Sequence, residues 1–413
     1  MKKALIIIFF IICSYHLFAQ ITLTIEGTEV NNTVTRNWTG VYIPRSEPTG
    51  FTYRYNSVIS VNTEGYMLQA GDEAPGPSNN NLDGELILGN KFTWKGVDGA
   101  TVITHGLFCG YNKNVTVKFN YLNRVPYGIL FKSGTDSGVN MTYTSGGCAY
   151  NICKNGKFAV RIKGINGVKV FNNTFYNGNG SGWYFILITS NDENLVPAPS
   201  TGTKIFNNIF YSTIQIPMIQ IDSGCFTDFE CDYNVYWCTT GEPIFNIDGE
   251  INTWAQWRAH GFDAHSVIID PEFFDFIDFV PVNRLDYGKN LGTEWQTGLS
   301  KYTTWIVGSA PKTSNQDGTW QVGARILSIN DEKQSFKIYP NPANEFINIR
   351  LDNPNLVPDH IKIVNLSGKL VYEGILDPDV RDFNIPVHFI HGIYAVQILS
   401  GNMELFTQKL IIM

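Results

Sequence analysis

The chain has 413 residues, is 43% hydrophobic and 14% aromatic, and carries only 16% charged residues with a net charge of −7. That composition supports two or three domains with a large buried core. The negative balance and the absence of any long Lys/Arg run argue against a nucleic-acid binder.

The chain opens with "MKKALIIIFFIICSYHLFAQ". Lys2 and Lys3 precede the apolar run Ala4–Phe18, and Ala19 is a small residue before a cut. This reads as a secretory signal peptide over residues 1–19. The run is short for a bilayer anchor, and no later stretch of the sequence is long and apolar enough to span a membrane. The mature protein is expected to be exported, without an integral membrane segment, and monomeric.

Residues 168–177, "VKVFNNTFYN", return as 203–212, "TKIFNNIFYS". Each phrase alternates as a strand does and breaks at an Asn, which favours a bend. The same unit recurs around Asn56, Asn90, Asn120, Asn151, Asn173, Asn208 and Asn234, at steps of 22 to 35 residues. Three residues before each Asn stand Tyr53, Ile87, Val117, Cys148, Val170, Ile205 and Cys231. Two residues after stand Val58, Phe92, Leu122, Cys153, Phe175, Phe210 and Tyr236. Every slot is apolar or a thiol. A strand repeat of this period predicts a solenoid of parallel strands, with the Asn side chains forming a ladder of amide hydrogen bonds. A β-propeller is the alternative architecture.

With these repeats the chain resembles the pectate-lyase-like superfamily, over roughly residues 45–326. The resemblance implies an all-β fold, a right-handed parallel β-helix. The β-helix is expected over residues 20–250 and its C-terminal cap over 251–326. Cys148, Cys153 and Cys231 fall in core slots, while Cys225 and Cys238 lie outside them and are the candidate disulfide pair.

A second strand follows each Asn corner. In "GILFK" and "AVRIK" the outward positions include Lys132, Arg161 and Lys163, and both lysines stand twelve residues after their Asn. Later strands "FILIT", "MIQID" and "IFNID" offer Leu187 with Thr189, Gln220 with Asp222, and Asn246 with Asp248. The strand "HGLFCG" carries His105. Stacked, these predict an exterior stripe, basic on one half and acidic or amide on the other. Two in-register lysines beside an arginine repel one another, which points to a ligand rather than to solvent alone.

In polysaccharide lyases of the superfamily the substrate lies along an outer face of the β-helix. The resemblance therefore implies an extracellular polysaccharide partner, an acidic uronic-acid glycan cleaved by β-elimination. Lys163 is the candidate base, Arg161 and Lys132 the groups that neutralise the carboxylate, and His105 an alternative acid or base. Gln220, Asn246, Trp183 and Tyr184 are candidate substrate contacts. Ca²⁺ is the implied cation, with Asp222 and Asp248 as its candidate ligands. The coil after Lys163 offers Leu187 and Thr189 where a further arginine is expected. Two other readings stay open: a glycoside hydrolase with Asp222 and Asp248 as paired carboxylates, and a non-catalytic glycan-binding or adhesion protein.

Past residue 251 the Asn phase is lost. "TWAQWRAHGFDAH" predicts one short helix. His260, Asp263 and His265 read as hydrogen-bonded turn and cap residues before they read as a metal cluster. Residues 327–335 read as a polar linker. The tail, 336–413, shows short alternating strands between turns and predicts a small β-sandwich. Its order "YPNPA", "NLSGKLV", "GIYAVQI", "KLII" resembles the C-terminal sorting domain of type IX secretion. That resemblance implies passage through the type IX machinery to the outside or to the outer-membrane surface of a Gram-negative bacterium.

Overall fold

In the computed structural model, the structure describes residues 23–36, 38–43, 51–71, 83–99, 101–110, 112–132, 140–178, 180, 182–190, 198–274, 276–328, 336–351, 358–377, 380, 382–400 and 403–412. The signal peptide and nearly all of the linker lie outside the described residues.

Three large parallel sheets organise residues 23–268. Sheet A runs from Leu23–Glu26 to Glu230–Asp232, sheet B from Glu29–Asn31 to Val267–Ile268, and sheet C from Trp38–Ile43 to Ile244–Ile247. The chain visits A, B and C in turn, one strand each, so that every strand pairs with its counterpart one circuit away. This is compatible with a parallel β-helix. The predicted core slots are all interior: Tyr53, Ile87, Val117, Val170 and Ile205 from sheet A pack with Val58, Phe92, Leu122, Phe175 and Phe210 from sheet B.

The corner between sheets A and B carries the Asn ladder. The amide oxygen of Asn90 accepts from the backbone N–H of Asn56 (2.9 Å) and from its side-chain Nδ2 (3.0 Å). The same pair of bonds repeats from Asn90 to Asn120, Asn151, Asn173, Asn208 and Asn234. Each Nδ2 also donates to a carbonyl of the neighbouring coil, as Asn151 does to Val117 (2.9 Å). The residue before each Asn has positive φ: Tyr55, Gly89, Phe119, Tyr150, Asn172, Asn207 and Tyr233. Six of the seven carry a Cβ, at a cost on the order of 1 kcal/mol each. The ladder offsets this strain by giving buried amide groups their hydrogen-bond partners.

The ladder extends one coil further than the asparagines do, at both ends. At the start, Thr28 donates to the amide oxygen of Asn56 through both its N–H and its hydroxyl, each at 2.8 Å. At the far end, Asn234 donates its N–H to the Ser266 hydroxyl (2.8 Å) and its Nδ2 to Asp263 (3.2 Å). Buried Asp263 also accepts from Trp257 Nε1 (2.6 Å) and the Tyr236 hydroxyl (3.0 Å). Burial raises its carboxyl above the ordinary range, while these donors hold it down. Asp263 is thus the terminal acceptor of the ladder. Among the described residues no group of three or more His, Cys, Asp or Glu could hold a metal ion.

The end of the core is closed by the helix Trp254–Ala259, with a Thr253/Gln256 capping box. Its Trp257 is fully buried and lies flat on Phe245, with centroids 4.4 Å apart. Residues 269–328 do more than cap. They run back along the outside of the A/B corner to the first coils. Asn207 Nδ2 donates to the Lys289 carbonyl (2.8 Å), Asn172 Nδ2 to Gln321 (2.8 Å) and the Tyr150 hydroxyl to Trp295 (2.5 Å). Further along, Trp305 Nε1 donates to the Phe119 carbonyl (2.8 Å) and Gly308 N–H to Tyr55 (2.9 Å). The left-handed corner residues are therefore the docking points of this strap. Its Phe273, Phe279 and Leu299 pack on Ile152, Ile209 and Val235 outside sheet B, and Trp295 and Trp320 pack with Phe171 and Phe206 outside sheet A.

The expected Cys225–Cys238 disulfide is not formed; both thiols are free and buried. Cys225 packs in the core from a short 3₁₀ turn, whereas Cys238 Sγ faces the Ile214 carbonyl at 3.5 Å. The tail has two antiparallel sheets, of three and four strands, around their own apolar cluster that includes Ile347, Ile361, Val396 and Leu410.

Replacing Asn151 with Ala strands the backbone N–H of Asn120 in the core, takes one acceptor from its Nδ2, and removes the donor to the Val117 carbonyl. We expect a loss of about 2 kcal/mol or more from these unmet buried groups alone. Asn123→Ala, on the outer side of sheet B, should stay within about 0.5 kcal/mol. Denaturant midpoints at constant slope measure the difference.

Candidate functional site

Sheet C is the sheet whose outer side chains do not join the strap's apolar clusters. Its register is as the sequence predicts at the basic strands: Leu130 lies beside Arg161 and Lys132 beside Lys163. The rows then continue from Arg161 to Leu187, Gln220 and Asn246, and from Lys163 to Thr189.

Two expectations about this face need correction. Lys132 and Lys163 point outward but are only 8% and 7% exposed, and each has an interaction partner. They are not solvated side chains on an open groove. Their outer-face neighbours Phe108, Leu130 and Leu187 are buried as well. His105, in turn, is not in the lysine row. It pairs with Tyr66 and Tyr127 at the other end of the strand, while the Lys132 position is held there by Gly110.

His105 belongs to a second outer row that the sequence reading missed: Tyr66, His105, Tyr127, Phe158 and Tyr184. Successive ring centroids lie 5.2, 5.0, 4.2 and 6.4 Å apart. Phe158 turns outward because the strand bulges. The N–H groups of Ala159 and Val160 both donate to the Phe185 carbonyl, so two residues answer one. The usable signal was an aromatic ring followed by Gly, in "HG" and "YG". A Cβ on Gly128 would lie 2.3 Å from the Ala159 carbonyl oxygen, so only Gly allows the coils to approach there.

Arg161 stands beside this row, half-buried. It has no carboxylate partner among the described residues, and its buried Nε has no acceptor. Thr189 Oγ1 and His105 Nε2 on the same face are likewise buried without a partner. Burial pushes the His105 ring down to about 3, and the charges of Arg161 and Lys132 push the same way. Burial raises the Tyr127 hydroxyl, and Arg161 opposes it.

Of the two aromatic residues expected to contact substrate, half-buried Tyr184 ends the row and Trp183, 41% exposed, lies beside it. Beneath Trp183 lies Lys157, also missed. Its ammonium sits 4.9 Å from the Trp183 ring centroid and donates to the carbonyls of Gly99 (2.8 Å) and Val102 (2.6 Å).

The acidic half has a structural role. Asp222 accepts from Ser190 N–H (3.2 Å) and Asp248 from Ser223 N–H (2.8 Å), each carboxylate holding the turn of the preceding coil. The bonds from Ser223 hold Asp248 below the usual carboxylate range. Asn246 accepts from Gly249 N–H (2.9 Å) and closes the Asp248-Gly249 hairpin, where both residues have positive φ. A Ca²⁺ ion takes six to eight oxygens. Each carboxylate gives one oxygen to a backbone N–H. Gln220 keeps an outward place beside Leu187.

The tail can be identified. Residues 337–413 match a secretion system C-terminal sorting domain. The sorting domain indicates export through type IX secretion, to the cell surface or beyond it. The chain is also 28% identical over 94 residues to the protein described as ulvan lyase NLR42 of Nonlabens ulvanivorans. That stretch covers 22% of this chain and 17% of the lyase. It is close to the sorting domain in length and much shorter than the three-sheet region. No solved structure matches the chain.

The depressed His105 ring makes a testable contribution to stability. Its folded pKa lies below the ordinary 6.5, so the unfolded chain binds more protons between about pH 3 and 6.5. Stability from this group is full above pH 6.5 and declines as pH falls toward 3. A ring resonance that stays neutral at pH 4.5, and a flatter acid limb in His105→Gln, are the expected results. Titration near pH 6 would contradict this placement.

Proposed function

We propose that the chain is a right-handed parallel β-helix protein of the pectate-lyase-like superfamily, exported by type IX secretion to the surface of a Gram-negative bacterium. There it acts on an extracellular acidic polysaccharide at the outer face of sheet C. The observation that carries this reading is Arg161, a half-buried guanidinium without a carboxylate partner among the described residues, on an outer face the strap does not pack against. A guanidinium there is a two-pronged receptor for a sugar carboxylate. The partial relation to an ulvan lyase and the sorting tail support an exported glycan-acting protein.

In β-elimination the proton leaves the carbon beside the uronate carboxylate. The electrons form a double bond, and the C–O bond to the leaving sugar breaks. Charge builds on the carboxylate as an enediolate, and Arg161 stabilises it in a site of low dielectric. Lys163, two residues along the same strand face, is the proton acceptor of this reading, and Lys132 supports the charge. A second reading, binding without cleavage, is favoured by the burial of Lys163 and by the depressed His105, a weak base near neutral pH.

Purified protein incubated with ulvan and with uronic-acid glycans separates the two. Unsaturated ends in the wild type, reduced about tenfold to a hundredfold in Arg161→Gln, are the expected result for a lost charge-assisted hydrogen bond. Retention without products identifies a binder. Products unchanged by Arg161→Gln place the site elsewhere.

A further inference from the structure

Resting on the acidic-glycan reading, we infer that the site on sheet C is a short clamp laid along the strands, from Trp183 to Arg161, that holds about a trisaccharide rather than a long chain running along the solenoid axis.

The stacking of the aromatic row decides the direction. Tyr127 and Phe158 stack at 4.2 Å with planes 19° apart, and Phe158 and Tyr184 are 22° apart. Rings packed on one another along the axis spend their faces on their neighbours. A glycan following that row would meet ring edges and hydroxyls, with no face for a sugar to cover. Trp183 is different. It is the exposed ring beside the row. The Lys157 ammonium lies over its ring, anchored by two carbonyls, which fixes the indole and leaves the opposite face on offer.

From that face the strand leads to Arg161. Trp183 precedes Leu187 by four residues, and Leu187 is in register with Arg161. Residues 183–185 bend ahead of the strand Ile186–Thr189, so four residues span at most ~13 Å, room for no more than about a trisaccharide. Tyr127 lies between, its ring 6.3 Å from Trp183 and its hydroxyl within the field of both Arg161 and Tyr184. Past Arg161 there is little open surface for a further sugar, since Lys132, Lys163 and Leu187 are buried around it. One end of the ligand therefore stacks on an indole, its middle meets the Tyr127 hydroxyl, and its other end gives a carboxylate to Arg161.

Affinities for uronic-acid oligosaccharides of two to six units test the clamp. Binding should strengthen up to the trisaccharide and then level off. Trp183→Ala should weaken the trisaccharide about tenfold while leaving the monosaccharide uronate unchanged. A trisaccharide with its carboxyls reduced to alcohols should bind the wild type about as weakly as the acidic one binds Arg161→Gln. Affinity that climbs steadily through six units, or a trisaccharide indifferent to Trp183→Ala, overturns the clamp but keeps the acidic-glycan reading. No binding at any length overturns both.

Discussion

The buried amide ladder is the interaction on which the rest depends. Seven asparagines in succession, from Asn56 to Asn234, form it, and from Asn90 onward each accepts the backbone N–H and the side-chain N–H of the Asn one coil before. This fixes the A/B corner at a left-handed residue in every coil. Once the corner is fixed, the side chains and carbonyls of those left-handed residues form a line on the outside. The strap from 269 to 328 reads that line, meeting Asn207, Tyr150, Phe119 and Tyr55 on its way out and Asn172 on its return. The strap thereby packs on the outside of sheets A and B, and the outer face of sheet C stays out of its apolar clusters.

The ladder was legible because it is a constraint on residue identity. Only an amide of this length offers an acceptor and a donor at once in that corner, so Asn recurs whatever the loops do. Its two ends were not legible, since Thr28 and Asp263 serve the same bonds with other chemistry. The register of Lys132 beside Lys163 was likewise readable from their equal distances to the ladder. Their burial was not, because it depends on what lies above a sheet, which alternation along a strand does not encode. His105 was placed in the wrong row for a local reason. Gly106 and Gly128 and the bulge at Ala159 change which residues face outward, and a simple count of two fails there.

The acidic half has a turn-holding role that the sequence did not display. Asp222 and Asp248 stack on neighbouring coils as catalytic or calcium-binding carboxylates would. They do so because each coil needs an acceptor for the backbone N–H groups of the turn below. The site proposed above lies on the other side of Arg161, at a row of rings and an exposed indole. There the unmet hydrogen-bonding capacity of Arg161 and His105 lies on one face with the open ring of Trp183.

A crystal structure of the protein with a uronic-acid trisaccharide tests the central claim most directly. The account predicts a sugar carboxylate about 2.7–2.9 Å from the Arg161 guanidinium, on the outer face of sheet C. A ligand seated instead on the strap over sheets A and B, or on the antiparallel tail, would contradict it.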